Sequence, residues 1–166
     1  DLVSAILRST GEEQQVVYFT TGHRERNSED AKEGSDGYGF ARTGLLGDNY
    51  QVRTLSLRQL EAVPEDAAVL IIAGPTGSFF ADERDKIEQY LRGGGSAVFL
   101  LEDGVSPQLN KLLNKWGIDL TQGTVVDIVN SVAGDRRSPI IKRGEYNPDN
   151  PITKDLDETL FIEAAA

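Results

Sequence analysis

The chain has 166 residues, with 17 Lys and Arg against 27 Asp and Glu for a formal charge of −10, and it contains no Cys, no Met, one His and one Trp. That length suits one domain with a sizeable core. Zero Cys excludes a disulfide scaffold, a thiolate metal site, an iron–sulfur cluster and a cysteine nucleophile, and the acidic balance argues against nucleic-acid binding, which needs clustered Lys and Arg.

In chain order, Val16-Val17-Tyr18-Phe19 is an apolar, β-branched and aromatic run that predicts a buried strand. Residues 24–37 are charged and without period, as an exposed loop would be. Tyr38, Ala41, Leu45 and Leu46 share one face of a modest helix that Gly39 and Gly44 weaken. Tyr50 to Leu57 alternates with period two and predicts an edge strand. Ala68 to Ala73 is apolar on both faces, the pattern of a central parallel strand.

A helix follows, with Phe80, Ile87 and Leu91 on one stripe, Asp82 and Glu83 at its positive end, and Gly93-Gly94-Gly95 as its C-cap and turn. Ala97 to Leu101 predicts the next strand. Ser106-Pro107 starts a helix whose stripe is Leu109, Leu112, Leu113 and Trp116. Ile118 to Asp127 reads as short strand material broken by Gln122-Gly123, residues 128–151 are left unassigned, and Thr159 to Ile162 reads as a last strand. Strands alternating with helices predict an α/β fold, an open and mostly parallel sheet with helices on both faces. Residues 1–14 read as a lead-in segment and 15–166 as one domain. No apolar run is long enough to span a membrane, and a chain starting at Asp1 without Met is expected to be a piece of a longer product.

Ligands of such folds bind beyond the C-terminal strand ends, where strand order reverses. The loops Thr20 to Glu25 and Gly74 to Ser78 fall there, with Glu102 and Asp103 after the fourth strand. His23 is read either as an acid, base or hydrogen-bond partner, or as a cap on the strand end. Glu25 orients His23 or a ligand hydroxyl, or is a solvated loop charge. Gly74-Pro75-Thr76-Gly77 either cradles an anion or makes a tight turn, and it lacks the Lys-Ser/Thr ending of a P-loop. No serine sits in a nucleophile elbow.

Val17–Glu25 reads VYFTTGHRE and resembles the VYFLTGHGE opening of the auxiliary domain of uncharacterised ABC-type transport systems, best known from gliding-motility-associated ABC transporter auxiliary proteins. Leu70–Thr76 resembles that family's LVIAGPT. Asp82–Gly94 resembles its acidic helix ending in Gly-Gly, and Leu113–Ile118 with Val125-Val126-Asp127 resembles its stretch before a VVD. Arg24 stands where the family often has Gly, and Asn150-Pro151-Ile152-Thr153 where His-Pro-Ile-Thr is expected.

The resemblance implies a flavodoxin-like domain similar to class I glutamine amidotransferases and to the N-terminal part of an intraflagellar transport protein. The amidotransferases use a Cys nucleophile, which this chain lacks. The expectation is therefore a non-enzymatic domain, with no cofactor and no metal. It would lie on the extracytoplasmic face of the membrane, periplasmic or outer-surface, anchored through segments absent from this chain. Its partners would be ABC transporter permease and ATPase subunits. The ligand, with carbohydrate the expected class, would be held by Gly22, His23, Glu25, Gly74, Pro75, Thr76 and Glu102. The alternatives are a purely structural assembly module and a hydrolase-type enzyme using His23 with Glu102 or Asp103.

Overall fold

The computed structural model describes residues 14–102, 106–121, 123–132 and 134–161. Where the sequence suggested one domain over 15–166, the chain clusters into two compact units. Residues up to Leu101 with Ser106–Ile118 form the first, and Glu102 with the residues from Asp119 onward form the second. Apart from Gln14, the lead-in 1–14 lies outside the described residues, as does Gln122.

The first unit runs β1 (Val16–Thr20), α1 (Gly39–Gly47), β2 (Gln51–Leu55), a 3-10 turn (Leu57–Gln59), β3 (Ala67–Ala73), α2 (Ala81–Arg92), β4 (Ser96–Leu100) and α3 (Pro107–Asn114). All strand pairings are parallel, in the order β2-β1-β3-β4. The chain leaves β1 for β2 on one side and returns past it to β3 on the other, so strand order reverses between β1 and β3.

Successive strand residues face opposite sides of a sheet, and all five residues of β1 are buried, so both faces are covered. Val17, Phe19, Val52 and Ala73 form the core of one face, with Tyr38 and Leu45 of the α1 segment packed on them. Leu57, Leu70, Ile72, Phe79, Ile87, Leu109, Leu112 and Leu113 are also buried. The sequence put Phe80 on the α2 stripe; the structure makes Phe80 the N-cap, half exposed and overlain by Arg58, and buries Phe79 instead. Trp116 also leaves its expected stripe. Helix α3 stops at Asn114, and Gly117, at φ +79°, turns the chain, leaving Trp116 exposed.

Helix α2 ends in a Schellman motif. Gly94 takes φ +92° and donates to the Leu91 carbonyl at 3.1 Å, while Gly95 donates to that of Tyr90 at 2.9 Å. A Cβ on Gly95 would lie 2.4 Å from the Tyr90 ring. That ring cannot give way easily: its hydroxyl lies 3.1 Å from the Ala67 and Ser96 carbonyls and accepts from the Ser96 amide at 3.2 Å. The three glycines are a turn fitted to one tyrosine.

The second unit holds a three-stranded antiparallel sheet in the order β5-β6-β7, with β5 at Ser131–Val132, β6 at Asp135–Lys142 and β7 at Glu158–Leu160. The strand expected within 118–127 is not formed among the described residues. There the Asp127 carboxylate accepts the Val129 and Asn130 amides at 2.7 and 2.8 Å, which turns the chain. The last strand is β7, and Ile162 lies outside the described residues.

Candidate functional site

Beyond Thr20 the chain bends sharply. The Thr21 amide stays on β2, donating to the Leu55 carbonyl at 2.8 Å. Gly22 then takes φ +113° and Arg24 φ +59°. Between these two turns the His23 side chain is carried into the interior, where it is 4% exposed. Its Nδ1 lies 3.0 Å from Glu25 Oε1 and its Nε2 lies 3.0 Å from Glu83 Oε2. The carboxylates are themselves 3% and 1% exposed. Phe79 stacks on the imidazole with centroids 3.7 Å apart and planes 18° from parallel.

Both carboxylates are held as acceptors by the main chain. Glu25 Oε2 accepts the His23 amide at 2.6 Å, and Glu83 Oε2 accepts the Phe80 amide at 2.8 Å. Glu83 is the third residue of α2, so its charge also meets the positive end of that helix. An imidazole flanked by two such acceptors is satisfied when both nitrogens carry a proton. Burial pulls the His23 pKa down, but the hydrogen bonds to Glu25 and Glu83 and their charges prevail and hold it above the ordinary 6.5. For Glu25, burial pushes upward, and the bonds from His23 prevail and hold it below the ordinary 4.5. With both ring nitrogens engaged, His23 ties the loop after β1 to the start of α2.

The loop after β3 is fastened to the same place. The His23 carbonyl accepts the Thr76 amide at 3.1 Å and the Gly77 amide at 2.7 Å. Gly77 comes so near that a Cβ there would lie 2.9 to 3.0 Å from His23 main-chain atoms. Gly74, at φ +58°, donates to the Leu100 carbonyl at 2.7 Å, and the Arg26 amide donates to that of Ala73 at 2.9 Å.

Outside this buried cluster a cleft of about 350 Å³ opens at the C-terminal ends of β1 and β2. Thr20, Thr21, Thr54, Asn27 and Ser28 line it. Arg24, Arg26, Glu25, Glu29 and Gly22 complete the lining. The 24–38 loop forming one side has no helix or strand, yet it is closed on itself. Asn27 Oδ1 accepts the Glu29 amide at 2.9 Å, and the Asn27 carbonyl accepts that of Tyr38 at 2.9 Å. Arg26 pairs with Asp36 at 3.0 Å. Arg24 is exposed and has no partner among the described residues.

Of the residues expected to bind a ligand, Gly22 and Glu25 line the cleft, with the Glu25 carboxylate turned inward to His23. The side chain of His23 faces the interior. Gly74, Pro75 and Thr76 make the turn fastened to the His23 carbonyl. Glu102 belongs to the second unit, and Asp103 lies outside the described residues. Sequence reasoning missed Glu83 as a partner of His23; its signal was an acid at the third position of a helix. It also missed Phe79 and the Asn27-Ser28 wall, which no motif marks. No group of three or more His, Cys, Asp or Glu placed to hold a metal ion occurs among the described residues. Nor, among them, is any helix long and apolar enough to cross a membrane.

Fold and site together define an α/β domain whose one histidine is a buried ionic clamp beneath a polar surface cleft. The chain belongs to the family of ABC-type uncharacterized transport systems, whose model matches residues 14–166; the family is one of auxiliary components of such systems. Among solved structures it is similar to one described as the mmIFT52 N-terminal domain, with 20% sequence identity and a TM-score of 0.65 over 90% of this chain. This chain spans 65% of that domain, and the likeness is one of fold. No curated protein matches.

Proposed function

We propose that this chain serves its transport system as a non-catalytic binding domain, holding a small hydroxyl-rich ligand, of the carbohydrate class, in the cleft beyond β1 and β2. The observation that carries this reading is the composition of the lining: apart from Gly22, the cleft is walled by Thr, Ser, Asn, Arg and Glu residues. A wall of such residues offers hydrogen-bond partners to the hydroxyls of a polyol. The engagement of both His23 nitrogens and the auxiliary family support a role without catalysis. We read the sheet as flavodoxin-like, akin to class I glutamine amidotransferases, on its order β2-β1-β3-β4. We place the domain on the extracytoplasmic face beside permease and ATPase subunits, a reading that protease accessibility of the full-length protein in intact cells checks.

Arg24 provides a clean test. A non-glycine residue at φ +59° is strained by about 1–2 kcal/mol, and glycine relieves that strain. Arg24→Gly should therefore fold at least as stably as the wild type while losing the cation at the cleft that has no partner among the described residues. In calorimetry against cell-envelope sugars, the wild type is expected to bind and Arg24→Gly to bind at least tenfold more weakly. No binding by the wild type, or equal binding by the two, overturns the cleft as a ligand site and leaves the purely structural module as the reading.

A further inference from the structure

The two edges of the parallel sheet differ. At one, β2 carries Arg53, whose guanidinium reaches Asp66 at 3.1 Å and Gln51 at 2.7 Å, so a charge and long polar side chains guard the strand. At the other, β4 reads Ser96-Ala97-Val98-Phe99-Leu100. It has no charge, no proline and no irregularity in its register with β3. Val98, its central residue, is 43% exposed. Edge strands are ordinarily protected by charge, proline or an irregularity; β4 carries none of these, and its central side chain is exposed.

The direction of its backbone groups follows from one bond. Gly74, directly after β3, donates to the Leu100 carbonyl at 2.7 Å, which places the polar groups of Leu100 on the β3 side. Neighbouring residues point their N–H and C=O to opposite sides, so Ser96 and Val98 also face β3. Ala97 and Phe99 turn theirs to the outer edge, where nothing pairs with them among the described residues.

We propose that β4 is a self-pairing interface, on which β4 of a second copy of this chain lies antiparallel across a two-fold axis at Val98. The outward groups suit that symmetry. Ala97 stands opposite Phe99 of the second copy and Phe99 opposite its Ala97, each pair exchanging two hydrogen bonds. Between them the two Val98 residues form the close, non-hydrogen-bonded pair, which covers the exposed side chain. Because the strand is uncharged, no like charges meet across the ladder, and the two four-stranded sheets become one. Each copy carries −10, so the copies repel at long range and the pairing tightens as salt screens that repulsion.

Sedimentation of the full chain over a range of concentration and salt tests this. The wild type is expected to dimerise, and more tightly at high salt. Val98→Lys places like charges directly opposite at an exposed site, and should weaken dimerisation at least tenfold without lowering the melting temperature. The chain contains no Cys, so Val98→Cys reports on its own: mild oxidation should give a symmetric disulfide-linked dimer faster than the exposed control Phe40→Cys. A wild type that stays monomeric at every concentration and salt overturns the proposal. So does a dimer that Val98→Lys leaves intact, or cross-linking of Val98→Cys no faster than the control.

Discussion

Replacing His23 with alanine is expected to cost about 3–5 kcal/mol of folding stability, read as a lower urea midpoint at unchanged slope. The cause is what the substitution leaves behind. Two carboxylates, 3% and 1% exposed, would face a void instead of the imidazole, and Phe79 would lose the ring stacked on it. A single domain has only about 5–15 kcal/mol in total, so this one change takes much of the margin. Glu83→Gln is the gentler companion. Its amide oxygen still accepts the Phe80 amide and the Nε2 proton, so the loss should be about 1–3 kcal/mol. If His23→Ala unfolds with wild-type stability, the clamp contributes nothing and the histidine is kept for something else.

Unfolding stability is expected to be highest between pH 4.5 and 6.5, the ordinary values of glutamate and histidine. The folded-state pKa of His23 is raised, so its contribution is full below 6.5 and is lost as pH climbs through the raised value. That of Glu25 is lowered, so its contribution is full above 4.5 and is lost as pH falls through the lowered value. The two limbs are not equally diagnostic. Surface carboxylates share the acid limb: Asp82 is held down by Lys86, Glu88 by Lys115 and Arg92, Asp127 by the amides of Asn130 and Val129, and Asp135 by Ser138. On the alkaline side the other shifted groups among the described residues, Tyr90 and Arg53, are both raised from ordinary values that already lie far above that of histidine. His23→Gln should therefore flatten the stability profile above pH 6.5 and leave the acid limb in place. A variant profile that still falls over that range would show that another group carries the alkaline limb.

Much of the first unit was legible because its pattern has one simple cause. Val16 to Phe19 and Ala68 to Ala73 are apolar on both faces because both faces of the sheet are covered. The Gly93-Gly94-Gly95 turn could be placed because a helix end needs a left-handed residue, which Gly94 supplies. The second unit was harder to read. In β6 the sequence Asp135-Arg136-Arg137-Ser138-Pro139 looks like a loop, since its charges and proline suit neither a covered strand nor a central one. The structure absorbs that oddity in a register shift against β5, with the Asp135 carboxylate bonded to Ser138 and to the Arg137 amide. The site was half legible. That His23 and Glu25 belong together follows from their spacing, but Glu83 is recruited by tertiary packing and no local pattern announces it. Arg24 carried a hint, since a position where relatives often have glycine is one where the backbone turns left-handed.

His23 and Glu83 stand 60 positions apart along the chain. A nascent polypeptide in which only β1 and its loop have emerged therefore carries an imidazole of ordinary acidity, with Glu25 alone beside it. The full three-member cluster comes into being only when β3 has been laid against β1 and α2 has followed. Loss of that one ring's ready proton exchange thus marks, in time, the docking of α2 against the loop after β1, ahead of β4 and α3 in the chain.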